Sequence, residues 1–112
     1  MKLYRTCIQT HNIDKMINFY SSIFDYEPTV DGEVDFRFLK HQLIIFKLND
    51  GEAPATKNVA MIYNVDDVDS EYSRLFDLSI AVNLPTDKPW GVRSFAINDP
   101  DGNLISFFTN LY

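Results

Sequence analysis

Few side chains in this sequence could do chemistry by themselves. The chain has one cysteine, Cys7, and two histidines, His11 and His41. A cysteine acts as a nucleophile when a base lies beside it. We predict no histidine near Cys7 and therefore expect a buried, small apolar side chain. Both histidines fall in predicted turns, where we expect solvated side chains, and a single cysteine cannot form a disulfide within the chain.

The charge balance narrows the classes of partner. Ten Lys and Arg against sixteen Asp and Glu give a net charge of −6, with no basic run. This disfavours nucleic-acid binding, which needs a positive patch to neutralise phosphates. No apolar run approaches the roughly 20 residues needed to span a bilayer, and no signal peptide is recognised. We therefore expect a cytoplasmic protein with no membrane partner.

The secondary-structure elements that must position Cys7 and the two histidines can also be predicted. The first is a strand over residues 2–10. Asn12 then offers an N-cap for an amphipathic helix. Its apolar residues recur at spacings of three and four: Ile13, Met16, Ile17, Tyr20 and Phe24. Strands over residues 34–39 and 43–48 follow, joined by a turn near Lys40-His41, and residues 50–54 form a predicted loop between two halves.

The same order of elements repeats in the second half. Asp66-Asp67 provides an N-cap, and a second helix is marked by Val68, Tyr72, Leu75 and Phe76. The other predicted elements are strands at residues 58–65, 80–82, 92–97 and 104–109, a loop at residues 85–90 and a tight turn at residues 99–103. Asn12-Ile13-Asp14 matches Asp67-Val68-Asp69 at a shift of 55 residues. We predict one domain of two modules, residues 1–50 and 56–112; an unrelated α+β domain with a coincidental order is the alternative.

Three stretches of the chain resemble the vicinal oxygen chelate superfamily, which includes glyoxalase I, extradiol dioxygenases and the bleomycin-resistance proteins. They are NIDKMINFY at residues 12–20, VDDVD at residues 65–69, and WGVRSF at residues 90–95 leading into DPDGN at residues 99–103. The resemblance is closest to the metal-free, bleomycin-resistance-like branch. It implies an α+β fold of two βαβββ modules that form an open cup, and a homodimer.

In the metal-using members of that superfamily, His and Glu side chains from the first and last strands of each module hold a divalent ion. The matching positions here are Arg5, Ala60, Ser106 and a residue within the segment 43–47, which contains no acid or histidine. A divalent cation requires several oxygen or imidazole ligands, so we expect no metal and no cofactor. Arg5 would instead recognise an anion at the cup floor; the alternative is an ion pair with a neighbouring carboxylate.

Strand alternation gives provisional pocket walls. The residues predicted to face the cup are Arg5, Cys7, Gln9, Ala60, Ile62, Asn64, Leu104, Ser106 and Phe108. Those predicted to pack under the helices are Ile8, Met61, Val65, Ile105 and Phe107. Phe36, Phe38 and Trp90 are candidate aromatic platforms, with ordinary core an equal alternative for the two Phe. The candidate ligand-binding set is Arg5, Gln9, Phe36, Phe38, Asn64, Trp90, Ser106 and Phe108, and no catalytic residue is identified.

Three functional hypotheses follow. The first is a metal-independent protein that binds a small organic molecule, as in antibiotic or metabolite sequestration. The second is an enzyme, such as a lyase, isomerase or dioxygenase-like protein, that uses Arg5 and polar cup residues without a metal. The third is a module with a vestigial cup that serves dimerisation or partner contact. The vacant ligand positions and the acidic charge favour the first.

Overall fold

The computed structural model describes all 112 residues, which form two compact units, Met1–Lys57 and Asn58–Tyr112. In each unit the order of elements is strand, helix and then three strands. The predicted α+β fold of two βαβββ modules is therefore confirmed. The two helices are too short, and too polar on one face, to cross a membrane.

Unit one is a four-stranded sheet with one helix packed on it. Its elements are β1 (Thr6–Thr10), α1 (Ile13–Phe24), β2 (Thr29–Asp31), β3 (Asp35–Phe38), a 3-10 helix (Leu39–His41) and β4 (Leu43–Lys47). The strands lie in the order β1-β4-β3-β2, with β1 parallel to β4 and the other pairs antiparallel. Parallel pairing of β1 and β4 requires the long connection that α1 and the β2–β3 hairpin supply.

The first helix forms where the apolar spacing predicts it. The Asn12 side chain accepts a hydrogen bond from the Lys15 amide at 3.3 Å, which satisfies one of the free N–H groups of the first turn. One face is buried against the sheet: Ile13, Met16, Tyr20 and Ile23. The helix ends at Phe24, because the next residue, Asp25, has a left-handed backbone (φ 60°) that does not continue the helical conformation.

Unit two repeats this arrangement. Its elements are β5 (Ala60–Asn64), α2 (Val68–Asp77), β6 (Thr86–Asp87), β7 (Val92–Asn98) and β8 (Leu104–Asn110). The strand order is β5-β8-β7-β6, with β5 parallel to β8 and the other pairs antiparallel. Asp67 caps α2 by accepting from the amides of Asp69 and Ser70, and hydrogen bonding to Ser70 lowers the pKa of its carboxyl.

The strand predicted at residues 80–82 is not formed. The amides of Ile80 and Ala81 both donate to the carbonyl of Leu75, at 2.9 and 3.1 Å, and so terminate α2 instead of pairing in a sheet. The left-handed Ser79 (φ 61°) makes this turn possible. Two short strands that the sequence pattern did not predict, β2 and β6, each form one edge of their sheet.

Alternation along β1, β5 and β8 matches the prediction. Ile8, Met61, Ile105 and Phe107 are buried on the helix side, and Val65, just beyond β5, is half-buried. The opposite side of each sheet, which we call its open face, carries the residues of the other parity. In unit two, Ala60, Ile62, Asn64 and Leu104 on this face are exposed.

The turn between β7 and β8 fixes the register of the second sheet. One carboxylate oxygen of Asp99 accepts the amides of Asp101 and Asn103, both at 2.9 Å, and the other accepts the Asn103 side-chain amide at 2.9 Å. The side-chain oxygen Oδ1 of Asn103 in turn accepts the amide of Val59 at 3.1 Å, just before β5. Asp99 and Asn103 are buried, and their side chains bond to one another, to the turn and to Val59, so β8 is held in place beside β5.

Candidate functional site

The open face of the second sheet brings together side chains from three strands. Ser106 in β8 lies between Ile62 of β5 and Ala96 of β7, and Phe108 of β8 is opposite Ser94 of β7. Because directly paired residues point to the same side of a sheet, these side chains share one surface.

This surface is concave, with a volume of about 310 Å³. We call it the unit-two site, and its lining residues are Ile62, Trp90, Val92, Ser94, Ser106 and Phe108. Aromatic and aliphatic side chains predominate, two serine hydroxyls supply polar points, and none of the six carries a charge. Trp90 and Ile62 are 73% and 69% exposed, so their apolar area is available to a ligand.

A tight turn holds Trp90 at the edge of this surface. The Lys88 amide donates to the carbonyl of Val92 at 2.7 Å, and the Gly91 amide donates to the carbonyl of Lys88 at 3.1 Å. Gly91 has φ +90°, a conformation that favours glycine, and a Cβ there would lie 3.2 Å from the ring of Tyr112. The turn that presents Trp90 is therefore fixed by its backbone.

Three of the predicted ligand-binding residues line the unit-two site: Trp90, Ser106 and Phe108. A fourth, Asn64, is on the same face opposite Phe108 but outside the concave surface. The candidate set did not include Ile62, Val92 or Ser94. Alternation against the buried Phe95 and Ile97 would have placed Ser94 on this face.

The remaining candidates belong to unit one, and they do not form one surface. Gln9 is on the open face of the first sheet, next to Phe46 of β4. Phe38 is fully buried on the helix side, in contact with the rings of Tyr20, Phe24 and Tyr26. It is therefore a core residue and not an aromatic platform in a pocket.

Phe36 is on the same helix side as Phe38, because β3 pairs it with the buried Ile45. This register does not favour the candidate role of Phe36 as an aromatic platform and agrees with the alternative, a core position. Arg5 lies just before β1 rather than within it, since the strand begins at Thr6.

The open face of unit one carries an ion-pair cluster where the unit-two site is apolar. Arg37 donates to Asp35 at 2.8 Å and to Asp31 at 3.1 Å. Asp35 is only 8% exposed, and this pairing compensates its burial. The charges on this face are therefore largely committed to one another.

Cys7 shares this face and is exposed, so the expectation of a buried cysteine is wrong. Partial desolvation of its sulfur, and secondarily the negative charge of Asp35, raise the pKa of the Cys7 thiol. The nucleophilic thiolate is thus disfavoured, and the position does not favour covalent catalysis.

The two histidines occupy different environments. His11 is exposed, with its Nε2 3.1 Å from the carbonyl oxygen of Ala53. His41 is not a solvated turn residue: its ring stacks on Phe24 at 4.0 Å between centroids, and its Nδ1 is 3.2 Å from the hydroxyl of Tyr26. Burial, and then the charge of Lys40, lower the pKa of His41. Both histidines thus have structural neighbours within unit one.

The resemblance implies four metal-ligand positions, of which three are Arg5, Ala60 and Ser106. Strand register locates the fourth, within residues 43–47. At the shift of 55 residues, Cys7 corresponds to Ile62. Cys7 pairs with Ile44 and Ile62 pairs with Ser106, so Ile44 is the counterpart of Ser106. The four positions are therefore Arg5, Ile44, Ala60 and Ser106. No grouping of three or more His, Cys, Asp or Glu side chains in the structure has the arrangement of a metal site. These residues do not fit a divalent ion.

Solved structures with the same fold come from several bacteria. A glyoxalase/bleomycin resistance protein/dioxygenase from Nocardioides superposes with a TM-score of 0.79 at 21% identity, over 99% of this chain and 85% of that one. TnmS3, an antibiotic binding protein from Streptomyces sp. CB03234, superposes with a TM-score of 0.73 at 20% identity, over 98% of this chain and 96% of that one. Lactoylglutathione lyase from Agrobacterium tumefaciens superposes with a TM-score of 0.72 at 22% identity, over 96% of this chain and 92% of that one. No curated protein matches this chain.

At these identities the superpositions establish the fold and not the activity. The family assignment rests on the sequence itself. Residues 2–107 match the model of one protein family, and this match covers almost the whole chain. The chain belongs to the glyoxalase/bleomycin resistance protein/dioxygenase superfamily.

Proposed function

We propose that this protein binds a small organic molecule at the unit-two site without using a metal ion. The observation that carries the proposal is the concave surface of about 310 Å³, with its apolar lining and two serine hydroxyls. A few polar points on an apolar wall are typical of sites that orient small organic ligands.

The lining favours a ligand with a flat apolar body. Trp90 and Phe108 offer ring surfaces, and covering them removes apolar area from water at roughly 25 cal/mol per Å². Ser94 and Ser106 can donate or accept hydrogen bonds and so fix the orientation of the ligand. The net charge of −6 favours neutral or cationic compounds over anionic ones at this uncharged surface.

Metal independence is supported by the residues at the positions where the superfamily places ligands. Ala60 and Ile44 have no donor atom, and a serine hydroxyl such as that of Ser106 is a weak ligand by itself. Arg5 carries a fixed positive charge, which repels a divalent cation. Elemental analysis of the purified protein tests this point: a stoichiometric divalent ion would overturn the proposal.

Two of the structural relatives represent the alternatives. TnmS3 is described as an antibiotic binding protein, which supports sequestration as the role of such a surface. The Agrobacterium relative is described as a lactoylglutathione lyase, which represents enzymatic activity on the same fold. The unit-two site offers no histidine, carboxylate or thiol as acid, base or nucleophile, and this favours binding.

The tryptophan at the site supplies the experiment. Trp90 is the only tryptophan in the chain, so a ligand that covers it will shift its emission to shorter wavelength. We would titrate neutral and cationic aromatic compounds, including a bleomycin-type glycopeptide, and confirm hits by thermal shift. Each compound would then be recovered and analysed by mass spectrometry. An unaltered compound agrees with sequestration, whereas a converted one would establish the enzymatic alternative.

Two variants localise the binding. We expect Phe108→Ala to weaken a hit by roughly tenfold, because a ring wall of the site is removed. Val30→Ala is the matched control, since Val30 is 52% exposed, belongs to unit one and does not line the site. Equal losses in both variants would show that the compound binds elsewhere.

We also propose that the protein is a cytoplasmic homodimer. The resemblance to the superfamily supports the dimer, and so does exposed apolar surface on unit two at Phe76, Val82 and Leu84. Sedimentation analysis tests this, and a strictly monomeric species over a wide concentration range would contradict it.

A further inference from the structure

A second concave surface lies in unit one, and its chemistry is opposite to that of the unit-two site. Its volume is about 300 Å³. We call it the basic pocket, and it is lined by Lys2, Leu3, Tyr4, Arg5 and Gln42. Two of these five side chains are cationic and none is acidic, although the chain as a whole has a net charge of −6.

Arg5 differs from the other arginines of the chain because it has no carboxylate partner. Arg37, Arg74 and Arg93 each form a salt bridge with Asp or Glu. Arg5 donates only to the carbonyl of Tyr4, at 2.9 Å, and its guanidinium lies 4.4 Å from the centre of the Tyr4 ring. The alternative raised by the sequence, an ion pair at a strand edge, is therefore not realised.

These contacts orient the guanidinium without using up its donors. The Tyr4 ring covers one face of the planar group, and the Tyr4 carbonyl takes a single N–H. Most of the N–H groups remain available, and this fork matches the geometry of a carboxylate or phosphate.

The other side of the basic pocket has a fixed backbone. Gln42 adopts a left-handed conformation (φ 53°), and its carbonyl accepts the amide of Thr6 at 2.8 Å, next to Arg5. Its exposed side-chain amide can donate a further hydrogen bond. Leu3 and Tyr4 are 68% and 75% exposed and offer apolar contact beside the charges.

We propose that the basic pocket binds an organic anion, a carboxylate or a phosphate monoester attached to an apolar group. The fork of Arg5 holds the anion, Lys2 supplies a second positive charge, and Leu3 and Tyr4 contact the apolar part. This goes beyond binding at the unit-two site, because it involves another surface and another class of ligand.

The experiment compares three probes of similar size: benzoate, phenyl phosphate and the uncharged benzamide. Each is titrated into the full-length ¹⁵N-labelled protein, and binding is followed through the amides of residues 2–5 and 42 and the Nε–H of Arg5. We expect at least one anion to shift these signals in a saturable way and benzamide to leave them unchanged. The preferred anion then distinguishes a carboxylate ligand from a phosphate ligand.

Variants separate recognition by Arg5 from general electrostatic attraction. Arg5→Ala should weaken the preferred anion by roughly tenfold, and Arg5→Lys should recover only part of this loss because it lacks the planar fork. Lys15→Ala changes the net charge equally at an exposed position of α1 and should have no effect. Equal binding of benzamide, or an equal loss in Lys15→Ala, would overturn the proposal.

The outcome is distinguishable from that of the proposed function. The emission of Trp90 reports the unit-two site, and Arg5 signals report the basic pocket. Absence of saturable shifts with both anions would overturn anion binding and leave the unit-two proposal unaffected.

Discussion

The open faces of the two sheets have the same strand register and different chemistry. In unit one, β3 places Asp35 opposite Phe46 and Arg37 opposite Ile44. The two charged side chains bond to each other, so this face is polar and internally paired. In this unit the positions at the centre of the face thus serve an ion pair.

The matched positions of unit two carry small, uncharged side chains. There β7 places Ser94 opposite Phe108 and Ala96 opposite Ser106. The space that the Asp–Arg pair fills in unit one is open in unit two, where the concave surface is found. The repeat therefore duplicates the scaffold and not the site, and Ser94, the counterpart of Asp35, lines the concave surface.

The largest expected effect is on the free energy of unfolding, and it tests whether the two units share one scaffold. Leu43 and Ile105 are matched core residues, both fully buried, so Leu43→Ala and Ile105→Ala should each reduce the free energy of unfolding by about 2–5 kcal/mol. Ile62→Ala, at a 69% exposed position, should reduce it by less than about 0.5 kcal/mol. Urea denaturation measures all three. A large cost at only one of the two core positions would break the equivalence of the units.

Transferring the charged pair of unit one to unit two should test the difference in chemistry between the two open faces. The double variant Ser94→Asp/Ala96→Arg puts the unit-one pair at the matched positions of β7, where Ser94 lines the unit-two site and Ala96 is paired with its lining residue Ser106. A ligand must then displace or desolvate the charges, so binding should weaken by roughly thirtyfold, or about 2 kcal/mol. Trp90 is retained and reports the affinity by fluorescence. Unchanged affinity in a folded variant would show that these two positions do not define the site.

The smallest effect should be a pH dependence from His41 in the 3-10 helix before β4, since the turn before β8, residues 99–103, contains no histidine. The pKa of His41 is lowered, so the unfolded chain takes up this proton more readily than the folded protein. The free energy of unfolding should therefore fall as the pH drops below 6.5, the ordinary value for histidine. His41→Phe keeps a ring against Phe24 and should flatten this dependence in urea denaturation at about pH 7.5 and about pH 5. Identical slopes for both proteins would contradict the assignment.

Much of the fold could be predicted from the sequence because its signals are local. The spacing of Ile13, Met16 and Tyr20 predicts a helix wherever the chain is placed, and Asn12 and Asp67 mark the two N-caps. Alternation along the last strand of unit two likewise separates buried from open-face residues. These features depend on near neighbours in the chain.

The features that the sequence did not predict depend on register and on competition for hydrogen bonds. The side to which Phe36 points follows from pairing with Ile45, which the 3-10 turn before β4 sets. Residues 80–82 have strand-like composition, but the carbonyl of Leu75 takes two of their amides. The burial of His41 arises from stacking on a helix far away in sequence. The sides of Phe36 and His41 thus depend on residues distant in sequence, and the end of α2 depends on hydrogen bonds that compete with strand pairing.

The alternation along β8 also implies how freely this strand can vary. Ile105 and Phe107 serve the core, so most replacements there should be lost in a saturation-mutagenesis library selected for folding alone. Ser106 and Phe108 face outward and should accept many replacements in that library. Selection for ligand capture should restrict the second set as well. The strand can therefore acquire a new ligand preference at every other residue while its contribution to folding is left intact.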